Sequence, residues 1–511
     1  MSQTSNNKRI AKNTLLLYFR MILIMGVTLY TSRVVLKQLG VEDFGIYNII
    51  AGVVVLFSFL SNALISSTQR YLSIAIGRKN RKEIQTVFSV SLVVHILLIL
   101  IVLILSETVG LWFVNSKLEI PSNRMYATNV IYQLTILTTI LNIIRIPYNA
   151  SIIANEKMSF FAYVSIAEAI FKLLIVWMLM LFGGDKLINY CFLLLLVVLI
   201  INYLYYNYCN KYLFCNKFII KYEKNLLAEM ISFSGWNLFG GIADVSYKQG
   251  TNIILNLFFG VGVNAALGIT NQIRGAIFSF VGNLQTAANP QIIKAYAVGD
   301  YRYFNSLVYR ISKYSYFLVF IIAIPVIFNI DLILEIWLEK PPIYTAEFSI
   351  LTLCICLIDS LVGPLWTSMQ ACGRIKWFQI ITSSCLLLNL PLSLVFLYLD
   401  FSVYVVFYIQ IIISVLTLVI RIIFTKKTLN FSIKKYLREV MYPIFLVTII
   451  IIPILLFTNH IEGSVRLLYY LGINVITCLL IYFLGSTKEE RQVIASLVIN
   501  RLPFIQKNKS L

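Results

Sequence analysis

The sequence predicts an all-α polytopic membrane protein, with about 14 transmembrane helices in two six-helix lobes related by a parallel repeat plus two C-terminal helices. Three observations lead to this prediction. The 511-residue chain is 59% hydrophobic and only 13% charged, whereas a soluble domain carries about 25% charged residues. Apolar stretches of about 20 residues, long enough to cross a bilayer as a helix, recur from one end to the other. Lys and Arg residues fall mainly in alternate gaps between these stretches.

Helices are the expected structure of these stretches, because hydrocarbon offers the backbone no hydrogen-bond partners. The seventh and eighth stretches are polar for membrane helices. The predicted spans cover residues 13–35, 45–68, 84–106, 126–148, 159–183, 187–208, 230–255, 262–288, 305–328, 346–370, 376–399, 402–424, 439–458 and 466–485.

The distribution of charge predicts the orientation of the chain. Three basic clusters, at 78–82, 211–224 and 426–438, lie in gaps on the same side as the N-terminus, whereas the opposite gaps carry acids such as Glu42 and Asp43. Basic loops stay in the cytoplasm, so both termini are predicted to be cytoplasmic. The net charge of +20 would then face anionic inner-leaflet lipid rather than nucleic acid.

The order of the spans predicts the domain organisation. Six helices form an N-lobe (1–208), a basic cytoplasmic linker follows (209–229), and six more helices form a C-lobe (230–424). Two extra helices lie within 425–485, and residues 486–511 form a cytoplasmic tail.

A short internal match suggests that the two lobes are copies. The hexapeptide FSFLSN at 57–62 matches FSFVGN at 278–283, an offset of 221 residues. Six helices return the chain to the side on which it started, so both copies begin in the cytoplasm and the repeat is parallel. Two such bundles with a site between them suit alternating access.

Few acids lie inside the predicted spans, where a charge costs about 2.5–3.5 kcal/mol unless it has a partner or a cavity. Glu168 and Lys172, and likewise Asp244 and Lys248, are four residues apart and therefore share one helical face. Each pair can be a self-neutralising ion pair, or one partner can be released to a substrate or a proton. The candidate ion-coupling residues are Asp244 first, then Glu168 or Asp359.

Cations outnumber acids in the spans. Arg274 has no acid within one turn of its own helix and follows Asn271, so this side is predicted to face water or an anion. Arg20 and Arg33 can reach the bilayer surface or line a cavity. A cationic cavity attracts an anion, and arginine's two-pronged hydrogen bonding suits a diphosphate. The candidate substrate-binding residues are Arg20, Arg33, Arg70, Lys248, Arg274 and Asn271.

The sequence carries no enzyme signature. There is no phosphate-binding P-loop, and the chain has two His residues in total, so ATP hydrolysis and acid–base catalysis are not expected. The Cys spacings fit neither zinc nor redox sites. We expect no catalytic residues, no metal and no bound cofactor.

The segment SRVVLKQLGVEDFGIY at 32–47 resembles the signature of bacterial polysaccharide-biosynthesis membrane proteins at their first two helices. That signature reads as an Arg, Leu-Gly, two acids, an aromatic residue with Gly, and a Tyr. A weaker counterpart is LFFG at 257–260. The chain therefore resembles the Wzx-like O-antigen/polysaccharide flippases of the multidrug/oligosaccharidyl-lipid/polysaccharide exporter superfamily.

This resemblance implies translocation of an undecaprenyl-diphosphate-linked oligosaccharide from the inner to the outer leaflet of the bacterial inner (cytoplasmic) membrane. Coupling to a proton or sodium gradient is expected, and of the motif residues only Arg33 carries over to a cavity role. Expected partners are the lipid-linked substrate, membrane lipids, and a glycan polymerase or other assembly proteins, without nucleic acid.

Other functions stay open from the sequence. Within the same superfamily, the chain can be a drug/cation antiporter or a peptidoglycan lipid-precursor flippase. A glycan polymerase or ligase is disfavoured because the predicted outside loops are short. A non-catalytic scaffold for glycan assembly would not need the intramembrane cations.

Overall fold

A computed structural model describes residues 3–55, 58–116, 120–181, 183–213, 224–259, 261–338, 341–429, 431–456 and 464–492. Over these ranges the chain forms helices and no strand, which confirms the predicted all-α class.

The first half of the chain forms seven helices. They are α1 (Gln3–Val55), α2 (Ser58–Gly77), α3 (Arg81–Leu105), α4 (Leu111–Ser116), α5 (Met125–Ala154), α6 (Met158–Leu181) and α7 (Lys186–Tyr212). A π-helical turn, Ser106–Gly110, joins α3 to α4.

Twelve helices follow in the second half of the described chain. They are α8 (Lys224–Phe259), α9 (Val261–Val298), α10 (Tyr301–Phe328), α11 (Ile330–Leu338), α12 (Thr345–Asp359), α13 (Val362–Cys372), α14 (Lys376–Leu387), α15 (Asn389–Tyr398), α16 (Val405–Thr428), α17 (Ile433–Tyr436), α18 (Tyr442–Leu456) and α19 (Ser464–Leu480). Further π-helical turns, Leu437–Met441 and Ile481–Gly485, precede α18 and follow α19.

Nine helical segments of the described chain are long and apolar enough to cross a membrane. They coincide with the predicted third to sixth and ninth to thirteenth spans. The first, second, seventh, eighth and fourteenth predicted spans are also helical where the structure describes them, in α1, α2, α8, α9 and α19. Two shorter apolar helical stretches, Asn13–Thr28 and Gly472–Gly485, lie within the first and the fourteenth of these spans. Polar membrane helices are expected where a helix faces other protein or a water-filled cavity.

Gly40 interrupts α1. Its φ of 80° and ψ of 171° are non-helical, so α1 consists of two helices on either side of this residue. A positive φ of this size is accessible to Gly but costly for residues with a Cβ atom. The Leu-Gly step of the sequence motif is therefore the turn between the first two predicted spans.

Two turns at equivalent places in the predicted repeat have the same construction. After α2, Lys79 adopts a φ of 55° and the Asn80 side chain accepts a hydrogen bond from the backbone of α3. After α9, Gly299 adopts a φ of 82° and the Asp300 side chain caps α10 in the same way. Such caps satisfy backbone N–H groups that have no partner inside the helix. The agreement supports the proposed duplication.

The described chain divides into two compact units, which we name the N-unit (13–242) and the C-unit (1–12 with 243–511). The N-unit packs α2, α3, α5, α6 and α7 around side chains such as Leu72 and Ile201, and the C-unit packs α8, α9, α12 and α14–α16 around Phe348 and Val406. The predicted linker lies partly outside the described residues, so the predicted lobe boundaries stay a prediction.

The outward faces of the membrane helices are apolar. Leu181 is 84% exposed and Trp177 is 65% exposed, and many other large apolar side chains are exposed as well. In water such surfaces would drive association, whereas in a bilayer they contact lipid. The protein is therefore a multi-pass membrane protein.

Candidate functional site

Glu168 on α6 is the centre of an ionic cluster in the N-unit. Its Oε1 accepts a hydrogen bond from Lys172 Nζ at 2.9 Å, and its Oε2 accepts one from Arg145 Nη1 of α5 at 3.2 Å. The first contact is the i,i+4 pair that the sequence predicts. The second comes from a neighbouring helix and leaves the carboxylate facing two positive charges.

Arg20 on α1 belongs to the same neighbourhood. Its guanidinium lies 4.4 Å from the centre of the Phe161 ring on α6, and its charge interacts with Glu168 and with Tyr205 of α7. The Nε atom of Arg20 is buried and has no hydrogen-bond partner among the residues that the structure describes. We name Arg20, Arg145, Glu168 and Lys172 the Glu168 cluster; it contains three cations and one acid.

Arg70 on α2 lies in a different environment. Its side chain is buried, and its guanidinium stands over the rings of Tyr71 and Phe233, at 4.6 and 4.7 Å from their centres. Cation–π contacts of this kind stabilise a desolvated Arg. This predicted substrate residue therefore already has aromatic contacts inside the N-unit.

Arg274 on α9 is paired with an acid from another helix of the C-unit. Its Nη2 lies 3.2 Å from Oδ2 of Asp359, the last residue of α12, and the Ser414 hydroxyl of α16 donates to Asp359 Oδ1 at 3.1 Å. The expectation that Arg274 would face only water or an anion was incomplete, because the acid lies 85 positions away in sequence. Two separately predicted residues thus come together.

Arg421 on α16 is a residue that sequence reasoning missed. It is partly buried, its guanidinium lies 5.5 Å from the centre of the Phe378 ring, and its charge interacts with both Asp359 and Asp244. Arg421 lies near the end of the twelfth predicted span, where it resembles an ordinary flanking cation. Together with Arg274, Asp359 and Asp244 it forms the Asp359 cluster, which contains two cations and two acids.

The remaining predicted residues are placed less completely. Asp244 on α8 is partly buried and interacts electrostatically with Arg274. Asn271 is exposed, one turn before Arg274. The side chains of Arg33 and Lys248 lie outside what the structure describes, so their assignments stay predictions.

A neutral polar network in the C-unit was also missed. The Thr251 hydroxyl of α8 accepts hydrogen bonds from Gln410 of α16 at 2.8 Å and from Asn389 of α15 at 3.2 Å, and all three residues are buried. Hydrogen bonds between membrane helices help to hold them together. In a sequence these residues look like isolated polar substitutions in apolar helices.

Asp43, one of the two acids of the sequence motif, has an ion-pair partner at the predicted outer side of the N-unit. Asp43 accepts two hydrogen bonds from Arg124, at 2.8 and 2.6 Å, and Asp185 accepts another from Arg124 at 2.7 Å. Burial would raise the pKa of Asp185, but hydrogen bonds from Arg124 and from the backbone at Ile188 outweigh it and lower the pKa below its ordinary value. Asp43 of the motif is therefore connected through Arg124 to Asp185, which stabilises the packing of their helices.

Comparison with known proteins identifies the fold. Residues 239–395 match the MatE family model. The fold is similar to that of a multidrug resistance MATE family transporter of the MOP superfamily in its outward-facing conformation, with a TM-score of 0.68 and 10% identity over 83% of this chain and 95% of that chain. No curated protein sequence matches the chain significantly.

Two further solved structures share the fold. The MATE transporter ClbM in complex with Rb⁺ gives a TM-score of 0.67 and 14% identity, covering 84% of this chain and 96% of that chain. The second is a MOP superfamily transporter from Pyrococcus furiosus Vc1, which is described as having a binding pocket of reverse polarity. Its TM-score is 0.64 and its identity is 10%, covering 82% of this chain and 95% of that chain.

These matches are to transporters and not to enzymes, and they show a two-lobe helical fold. The fold agrees with the all-α, two-lobe class that the sequence predicts. The narrower resemblance to polysaccharide flippases finds no support among them.

Proposed function

We propose that this protein is an ion-coupled membrane exporter that works by alternating access. The observation that carries the proposal is the similarity of the fold to MATE transporters over more than four fifths of the chain, with a TM-score of 0.68. The two paired carboxylates, Glu168 and Asp359, supply groups whose protonation would change the local charge.

The comparisons favour a drug/cation antiporter as the substrate class. The first of the three neighbours is described as a multidrug resistance transporter, and the matched MatE segment at 239–395 covers most of the C-unit helices up to α15. ClbM is described in complex with Rb⁺, and a monovalent cation would suit the Asp359 cluster, in which two acids balance two cations.

The second candidate is the lipid-linked oligosaccharide flippase that the sequence motif implies. The observation in its favour is the sign of the Glu168 cluster, in which Arg20, Arg145 and Lys172 face a single carboxylate. Such a cluster repels a cationic drug and attracts a diphosphate. The Pyrococcus furiosus protein, whose binding pocket is described as having reverse polarity, would be the precedent for a transporter of this fold with a changed pocket charge. A glycan polymerase would be a partner only in this case.

The ion pairs of Glu168 would couple proton uptake to the binding of an anionic substrate. When Glu168 is ionised, it neutralises part of the charge of Arg145 and Lys172 and competes with an anionic substrate for them. When Glu168 takes up a proton, both cations become available to that substrate. Protonation would therefore favour binding of an anion, and deprotonation would favour its release.

The test compares both substrates on one preparation. Purified protein in proteoliposomes is given a pH gradient, and transport is measured for a fluorescent cationic dye and for a short-chain polyprenyl-diphosphate sugar. Dye transport alone identifies the antiporter, and sugar-lipid translocation alone identifies the flippase. Transport of neither, with correctly inserted protein, would overturn the exporter proposal.

A pair of variants sharpens the comparison. Arg20→Gln removes a cation of the Glu168 cluster, and Lys157→Ala removes an exposed cation in the turn between α5 and α6. The flippase predicts loss of sugar-lipid translocation in Arg20→Gln and normal activity in Lys157→Ala. Equal activity in both variants would refute an anion-binding role for the cluster.

A further inference from the structure

The C-unit contains a cavity of about 740 Å³ at one end of its helices. Three separate stretches of chain line it: the start of α10, the segment from Ser432 to Pro443 at the start of α18, and residues 484–490 after α19. Four predicted spans separate the first stretch from the second, and two more separate the second from the third, so all three lie on the same side of the membrane. The distribution of Lys and Arg predicts that this side is cytoplasmic.

The lining is strongly basic. It includes three acids, Glu439, Glu489 and Glu490. It also includes six cations, and we name the cavity the basic pocket after them: Arg302, Arg310, Lys313, Lys435, Arg438 and Lys488.

Two of the acids, Glu489 and Glu490, already form ion pairs with cations of the pocket. Glu490 lies 2.7 Å from Lys313 Nζ, and both side chains are almost completely buried, at 5% and 2% exposed. Glu489 lies 3.0 Å from Arg310, which also approaches Glu490 at 3.6 Å. Lys313 and Arg310 are therefore neutralised by Glu490 and Glu489.

The rim of the pocket is left with an excess of positive charge. Arg302, Lys435, Arg438 and Lys488 are exposed, and Glu439 is the remaining lining acid. Like charges held around one cavity repel one another, and an anion placed among them relieves that repulsion. The arrangement suits a phosphate group, which accepts hydrogen bonds from several Lys and Arg side chains at once.

Apolar side chains stand beside the rim. Leu484 lines the pocket and is 44% exposed, and Leu437, next to Arg438, is 50% exposed. A free phosphate gains nothing from these side chains, whereas a lipid could lay its acyl chains against them while its headgroup enters the pocket. Basic pockets between membrane helices on the cytoplasmic side are suited to anionic lipid headgroups.

We propose that the basic pocket binds a phosphate-bearing anion, and that in the membrane this anion is the headgroup of an inner-leaflet lipid. Bound there, the lipid would bridge α10, the start of α18 and the segment after α19. It would thereby fasten the two C-terminal helices to the rest of the C-unit. This binding does not depend on which substrate the protein exports.

The test measures binding to purified full-length protein in detergent. Phosphatidylglycerol, phosphatidylcholine and inorganic phosphate are titrated separately, and the thermal unfolding midpoint and bound lipid by native mass spectrometry are recorded. The variant is Lys435→Ala with Arg438→Ala. The matched control is Lys434→Ala with Lys427→Ala, two exposed lysines nearby that do not line the pocket.

We expect phosphatidylglycerol to raise the unfolding midpoint of the wild type and of the control. In the pocket variant its apparent affinity should fall roughly thirtyfold, from the contribution of two basic residues near a membrane surface. Charge-preserving Lys435→Arg with Arg438→Lys should retain most of the effect, which separates loss of charge from misfolding. If inorganic phosphate raises the unfolding midpoint as much as phosphatidylglycerol does, the pocket binds an anion but the proposal that this anion is a lipid headgroup is wrong. If pocket variant and control respond equally to all three ligands, the proposal is wrong.

Discussion

The ion pairs of Glu168 give the sharpest test of the cluster geometry. Glu168→Gln keeps the size of the side chain and one hydrogen-bond acceptor but removes the negative charge between Arg145 and Lys172. Breaking a fully buried pair by removing one partner costs about 3–5 kcal/mol. Glu168 and Arg145 are each 22% exposed, so solvent screens their attraction in part. Breaking their pair should therefore cost about 2 kcal/mol, less than breaking a fully buried pair.

The Lys172 contact adds little to that figure. The Lys172 side chain is 46% exposed, and exposed i,i+4 pairs contribute about 0.3–0.5 kcal/mol. Glu168→Gln should therefore destabilise the protein by roughly 2–3 kcal/mol, and Lys172→Ala by well under 1 kcal/mol.

The assay is reversible denaturation of the purified protein in mixed micelles, with a double-mutant cycle. Glu168→Gln, Arg145→Gln and the double variant are compared, and the coupling free energy isolates the pair. We expect a coupling of about 1–2 kcal/mol, because the pair bridges α5 and α6 away from full solvent exposure. A coupling near zero, or equal losses in Glu168→Gln and Lys172→Ala, would refute the reasoning.

Three further predictions concern other parts of the structure. Arg274→Gln with Asp359→Asn should be less destabilising than the two single changes added together, because either single change already removes the Arg274–Asp359 ion pair and the double change loses it only once; additive losses in the same unfolding assay would contradict the pairing. The lowered pKa of Asp185 means that its stabilising effect is complete above the ordinary aspartate pKa, about 3.9, and is lost as pH falls below it through the folded-state value. Unfolding midpoints from pH 7 to pH 3 should show this loss, and Asp185→Asn should make that acid dependence shallower; an unchanged profile would argue against the Arg124 contact. Gly40→Ala should cost about 1–3 kcal/mol, because a φ of 80° with a ψ of 171° is a conformation that essentially only Gly adopts, and a neutral result would show that residue 40 does not adopt it.

The helices could be predicted from the sequence because hydropathy and helix length are local properties. Spans such as 84–106 and 402–424 coincide with α3 and α16, since a long apolar run in hydrocarbon has few alternatives to a helix. The polar helices α8 and α9 were predicted at nearly the right positions, but their composition alone falls short of a membrane span.

The candidate site was predictable only in part. Glu168 and Lys172 were paired correctly because helical geometry places residues four apart on one face. Arg145 and Arg421 were overlooked as site residues, since a cation near the end of a span looks the same in sequence whether it flanks the bilayer or faces an acid. The substrate class depends on this distinction.

The sequence by itself determined that this is an all-α multi-pass membrane protein with its cations concentrated on one side, because composition, periodicity and charge order act over short stretches of chain. The tertiary structure decided which cations meet which acids. Arg274 with Asp359, and Lys313 with Glu490 across 177 positions, are contacts between helices that approach through packing. A charge buried within a helix bundle must find a partner, but the sequence does not specify which neighbouring helix supplies it.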